Sequence, residues 1–117
     1  MKKLFYSLVT AFLIFSFNSC SSDSEEMPGD TCDNLNVSYS QDILPIISGT
    51  CASSPSCHGS GSYQPNFLSY ADVKSVADDG TLKQQVVDSR AMPQGSSLTQ
   101  SQIDNFECWI ADGAPDN

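Results

Sequence analysis

The chain has 117 residues, of which 14 are acidic and five basic, and its formal net charge is −9 at neutral pH. This length predicts one folded domain. The strong negative charge excludes nucleic acid and anionic lipid surfaces as partners, because both would be repelled.

The N-terminal segment predicts export. Lys2 and Lys3 precede the apolar run LFYSLVTAFLIFSF over residues 4–17, which is typical of a secretion signal and shorter than the roughly 20 residues of a membrane-spanning helix. Cys20 ends this segment and opens the polar stretch SSDSEE, an arrangement that resembles the lipobox of bacterial lipoproteins. The resemblance implies a signal peptide over residues 1–19, acylation of the Cys20 thiol and a lipid anchor in the cell envelope, at the outer membrane, on its periplasmic or surface-exposed face. The alternative is an ordinary signal peptide with Cys20 as a structural thiol.

The next segment predicts a spacer. Residues 20–36 are rich in Ser, Asp, Glu and Gly and hold almost nothing apolar, so they predict a disordered acidic tether. The chain from Cys20 onward contains three basic and 14 acidic residues, which gives a formal charge of −11. Residues 37–117 remain as the folded domain, and a domain this small buries only about 60% of its unfolded surface and tends to need a disulfide, metal or cofactor.

Four short helical patterns follow the tether, over residues 40–47, 69–77, 81–88 and from residue 99 onward, with no strand pattern of comparable length. We therefore expect an all-α fold. Each pattern starts at a residue whose side chain is suited to cap a helix: Ser40, Ser69, Thr81 and Thr99. Gly49 is expected to end the first helix, and Gly113 with Pro115 the last one.

The five cysteines allow two arrangements. If Cys20 carries lipid, four remain, and in one arrangement Cys51 and Cys57 hold a cofactor while Cys32 pairs with Cys108. In the other, the four form two disulfides and the single histidine has no ligand role. The sequence does not choose between them, because four cysteines allow three pairings.

Cys51, Cys57 and His58 stand in the segment CASSPSCHG, which ends like a haem attachment site. The usual spacing is C-x-x-C-H, whereas here five residues separate the two cysteines. Because the two vinyl groups of a haem are a fixed distance apart, the three extra residues have to loop outward. Small residues and Pro55 suit such a loop.

Met92 supplies a candidate for the second iron ligand. It lies in the polar loop RAMPQG, 34 residues after His58, and its thioether is a soft ligand suited to the far face of a haem iron. The alternative is that Met92 fills a gap in the core.

Several segments together resemble small class I-like cytochrome c domains of exported bacterial proteins. They are YSQDILPII at 39–47, CHG at 57–59, LSYADVK at 68–74, MP at 92–93, LTQSQI at 98–103 and WIADGAP at 109–115. The resemblance implies a bundle of short helices around one covalent haem c. It further implies that Cys51 and Cys57 form the thioethers, with His58 as the proximal and Met92 as the distal iron ligand.

The resemblance also implies one-electron transfer rather than catalysis. With His58 and Met92 both on the iron, no position is open to a substrate, and no second histidine is present to serve as the acid or base of a peroxidase. We expect redox partner proteins with basic docking surfaces, and membrane attachment through the N-terminal lipid. The alternative is a haem-free, disulfide-stapled lipoprotein module with a binding or structural role. Apolar residues from all four helical patterns, with Phe67 and Leu68, are expected to surround the haem or to form an ordinary helical core.

Overall fold

The computed structural model describes residues 32–117. The expectations for the signal peptide, for acylation of Cys20 and for the tether up to residue 31 lie outside the described residues. Within residues 32–117 there are helices and irregular segments but no strand, in agreement with the expected all-α class. None of the helices in this part of the chain has the length and hydropathy needed to cross a membrane.

The described part contains four helices in chain order. Helix α1 covers residues 39–51, α2 is Tyr70–Asp78, α3 is Lys83–Asp88 and α4 is Gln100–Ala111. Helix α4 packs against α3 and against the first turn of α1. The long irregular segments 52–69 and 89–99 connect α1 to α2 and α3 to α4.

Helix α1 is longer and less regular than the sequence predicted. It consists of a π-helical turn, Tyr39–Ile43, a short α-helical segment, Leu44–Ile46, and a second π-helical turn, Ile47–Cys51. Pro45 has no N–H to donate to a helical hydrogen bond. The helix nevertheless continues past Pro45, because the neighbouring turns form the wider i→i−5 hydrogen bonds. Gly49 does not end the helix, because the second π-helical turn continues through it and buries Ile47 and Cys51.

Two of the predicted caps are wrong. Ser38, rather than Ser40, caps α1, and its hydroxyl accepts a hydrogen bond from the Gln41 amide at 3.4 Å. Thr81 does not cap α3, because its own amide donates to the Asp79 carboxylate at 2.8 Å and α3 begins without a side-chain cap. A neighbouring serine therefore takes the capping role at α1, whereas no side chain takes it at α3.

The other two caps are confirmed as full capping boxes. At α2, Ser69 and Asp72 exchange side-chain and backbone hydrogen bonds, and at α4 Thr99 and Gln102 do the same. Helix α4 ends at Ala111, and Gly113 follows it with φ 87°. This left-handed backbone favours glycine, so the expected stop after α4 is also confirmed.

The core lies where the four helices meet. Trp109 and Phe106 of α4 are fully buried, and the Trp109 ring stacks on Tyr39 of α1 with the centroids 5.6 Å apart. The Trp109 indole N–H donates to the Pro115 carbonyl at 2.9 Å, and the Tyr70 hydroxyl donates to the Ala114 carbonyl at 2.8 Å. The segment after α4 is thereby held against the core. Leu68, expected to lie around the haem or in the helical core, is 59% exposed.

Two further connections close the domain. Cys32 and Cys108 form a disulfide that bonds the start of the described chain to α4. Asn117 lies against the start of α1, where its side-chain carbonyl accepts from the Tyr39 amide at 2.7 Å. The first and last described residues are therefore both fixed to the helical core.

Candidate functional site

An open cleft of about 600 Å³ brings together the four side chains that the sequence singled out as ligands. Cys51, Cys57, His58 and Met92 all line it. The volume falls within the range of about 300–1,000 Å³ that is typical of small-molecule and cofactor sites. The other walls come from the ends of α1 and α2, from α3 and from the two long loops, and include Phe67, Val76, Leu82, Val86 and Pro93.

The five residues between Cys51 and Cys57 form a turn that closes on itself. The Ser54 carbonyl accepts the amides of both Cys57, at 3.1 Å, and Gly59, at 3.0 Å. The His58 amide donates to the Cys51 carbonyl at 2.9 Å. The widened spacing therefore brings His58 back beside the end of α1, where Cys51 lies.

Gly59 is required by the tightness of this turn. A Cβ at this position would lie 2.6 Å from the Ser54 carbonyl oxygen and 2.9 Å from that of Ala52. Real Cβ atoms almost never approach other atoms this closely, so a larger residue would open the turn.

The His58 ring is fixed on one side by hydrogen bonding and stacking. Its Nδ1 lies 2.6 Å from the Pro65 carbonyl oxygen, and its ring stacks on Phe67 with centroids 4.0 Å apart and planes 5° from parallel. A carbonyl oxygen only accepts hydrogen bonds, so Nδ1 carries a proton, and in the neutral imidazole Nε2 then has the free lone pair. The contact with Pro65 is of the kind by which backbone carbonyls orient metal-binding histidines, and it leaves Nε2 as the ring nitrogen available as a ligand.

The two cysteines of the cleft are free thiols in different surroundings. Cys51 is buried and Cys57 is partly exposed. Burial, with a smaller contribution from Cys57, raises the pKa of the Cys51 thiol to about 11. The Cys51 sulfur is therefore protonated at neutral pH. The hydroxyl of Ser54 donates to the Cys57 sulfur at 3.4 Å.

Met92 approaches the cleft from the loop between α3 and α4. Its amide donates to the Gln85 carbonyl of α3 at 3.1 Å, and its side chain is half-buried against the core. Met92 and His58 thus enter the cleft from different segments of the chain.

The lining of the cleft contains no Asp, Glu, Lys or Arg, although the chain carries a net charge of −9. The acidic residues of the described part lie on other surfaces. Two of them, Asp33 and Asp112, line a second cavity of about 490 Å³ beside the Cys32–Cys108 disulfide, which holds none of the four candidate ligands. Across residues 32–117, no three His, Cys, Asp or Glu side chains converge as a bare metal ion would require.

Sequence reasoning missed the residues that support His58. Pro65 and Phe67 follow His58 by seven and nine residues in a loop without periodicity, and no local pattern marks either as a partner of an imidazole. Phe67 was expected as a core residue, and it is buried as well as stacked on the ring.

Comparisons with protein-family models, with curated proteins and with solved structures found no match to this chain.

Proposed function

We propose that the protein is an electron-transfer protein that binds one haem c covalently through Cys51 and Cys57, with His58 and Met92 as axial ligands. The observation that carries this proposal is the convergence of these four side chains on one cleft. They come from the end of α1, the loop after it and the loop before α4, so sequence proximity alone does not account for their meeting.

The donor set of the cleft fits a haem. It combines two thiols, an imidazole with its Nε2 lone pair free and a thioether, which are the groups that c-type attachment and His/Met ligation need. Phe67, Val76, Leu82 and Val86 add apolar surface for a porphyrin. Bound haem would supply one-electron redox chemistry at its iron.

The side chains of the cleft have separate roles in this proposal. Cys51 and Cys57 tether the cofactor as thioethers. The bond from His58 Nδ1 to the Pro65 carbonyl holds the imidazole in one orientation and raises its basicity. The Met92 thioether would favour the reduced iron and so raise the reduction potential. Because two ligands from the chain would leave no position open to a substrate, we propose a carrier rather than an enzyme.

The proposal includes a lipid anchor on Cys20 and a place in the cell envelope. Its partners are redox proteins, and the acidic surface outside the cleft would steer those with basic docking faces. Electron-transfer rates with such partners are then expected to fall as ionic strength rises.

The test is production of the protein together with c-type haem attachment machinery, followed by absorption spectra before and after dithionite and by haem staining of a denaturing gel. We expect sharp reduced bands and stain that survives denaturation. Replacing Cys51 and Cys57 together by Ala should abolish the stain. Met92→Ala should retain it but change the axial ligation, whereas Met27→Ala, the matched control outside the described residues, should leave both unchanged. A colourless protein without free thiols would overturn the proposal and leave a disulfide-stapled binding or structural module.

A further inference from the structure

The segment that carries Met92 begins with an unusual backbone conformation. Helix α3 ends at Asp88 with Ser89 as its C-cap, and Arg90 follows with φ 52°. Glycine is the usual residue in this left-handed conformation after a helix, because any Cβ is strained there. Arginine at this position is therefore not explained by backbone preference.

The side chain of Arg90 crosses to the next helix. Its Nη2 donates to the Gln100 side-chain carbonyl at 3.0 Å, and the Gln100 amide in turn donates to Asp104 at 2.7 Å. Gln100 is the first residue of α4. The guanidinium thus bonds one end of the loop to the other.

The other bases of the described residues behave differently. Lys74 pairs with Asp78 and Lys83 with Asp88, in each case close by in the same helix. Of these three bases, Arg90 is the one whose side chain bonds to a different element, from the loop to the first residue of α4.

The geometry points to Arg90 as a positioning residue for Met92. The loop is held to α3 by the bond from the Met92 amide to Gln85 and to α4 by the bond from Arg90 to Gln100. Together these bonds restrict where the Met92 thioether lies in the cleft. The role of this restriction, which is to hold the distal ligand in place, rests on the proposed function. The restriction itself can be measured without haem.

The first readout is the hydrogen-exchange rate of the Met92 amide. It is measured by NMR on the full-length protein as purified, whether or not the protein carries haem. Arg90→Gly keeps the left-handed backbone and removes the bridge, and should speed this exchange about three- to tenfold, as expected for the loss of one hydrogen bond of ordinary net strength. Gln100→Leu retains Arg90, removes its acceptor and should act in the same direction. Lys74→Ala, which removes one positive charge elsewhere, should have no effect.

The second readout is the far-red charge-transfer band of methionine-ligated ferric haem, together with the reduction potential. Arg90→Gly should weaken the band and lower the potential, while haem stain is retained. Unchanged Met92 exchange in both Arg90→Gly and Gln100→Leu would overturn the inference. If exchange is faster in both variants but the wild-type protein lacks the band or the haem, the restraint on the loop is upheld and the proposed ligand role of Met92 is refuted.

Discussion

Replacing Gly59 by Ala should destabilise the domain and disrupt the cleft. The added Cβ would lie 2.6 Å from the Ser54 carbonyl oxygen, whereas ordinary contact begins at 3.4 Å, so the two must separate by about 0.8 Å. That carbonyl accepts the amides of Cys57 and Gly59, and a shift of this size weakens both bonds. At about 0.5–1.5 kcal/mol for each bond, the free energy of unfolding should fall by about 1–3 kcal/mol.

Gly49→Ala provides the matched control for this substitution. Nothing lies within 4 Å of a Cβ at this position, which is inside a helical segment, so the change should be neutral or stabilise the protein by up to about 1 kcal/mol. Urea denaturation followed by circular dichroism measures both variants. If Gly59→Ala unfolds at the same urea concentration as the wild type, the turn between Cys51 and His58 is not as tight as the structure indicates.

Three other predictions concern stability. Replacing Cys32 and Cys108 by Ser removes a disulfide that joins residues 76 apart in the sequence. In the chain-entropy treatment, this should lower the free energy of unfolding by about 4.5 kcal/mol. A loss below about 1 kcal/mol on thermal denaturation would contradict the prediction. In the haem-free protein, the raised pKa of Cys51 means that the folded state keeps this proton longer than the unfolded one, so stability should fall between pH 9.0 and about 11. Cys51→Ala should flatten that slope in pH-dependent denaturation, and an unchanged slope would refute the assignment. Asn117→Ala removes the acceptor of the Tyr39 amide and should cost about 1 kcal/mol, measured by thermal denaturation with Asn36→Ala as an exposed control.

Local patterns predicted the parts of the fold that depend on neighbouring residues. The capping boxes at Ser69 and Thr99 are formed by side chains three residues apart, so the sequence contains both partners of each. The glycine after α4 likewise has the left-handed backbone that its position predicted. The four candidate ligands could be chosen from their chemistry, and they line one cleft.

Features that depend on competition or distant contacts were not predictable in this way. Ser38 and Ser40 are both good caps, and Ser38 takes the role because its own amide also bonds the Asp42 carboxylate, at 2.8 Å. The continuation of α1 through Gly49 follows from tertiary burial of Ile47 and Cys51, which outweighs the local preference of glycine to end a helix. The support of His58 by Pro65 depends on the path of an irregular loop.

The disulfide also determines how mechanical load enters the domain. The chain that precedes Cys32 is joined through this bond to Cys108, in the last turn of α4. The lining of the cleft comes from residues 50–96, and no residue of α4 contributes to it. If the N-terminal segment is anchored as proposed, part of a pull on it would therefore reach α4 and its buried Trp109 through the disulfide, and this part would bypass the walls of the cleft.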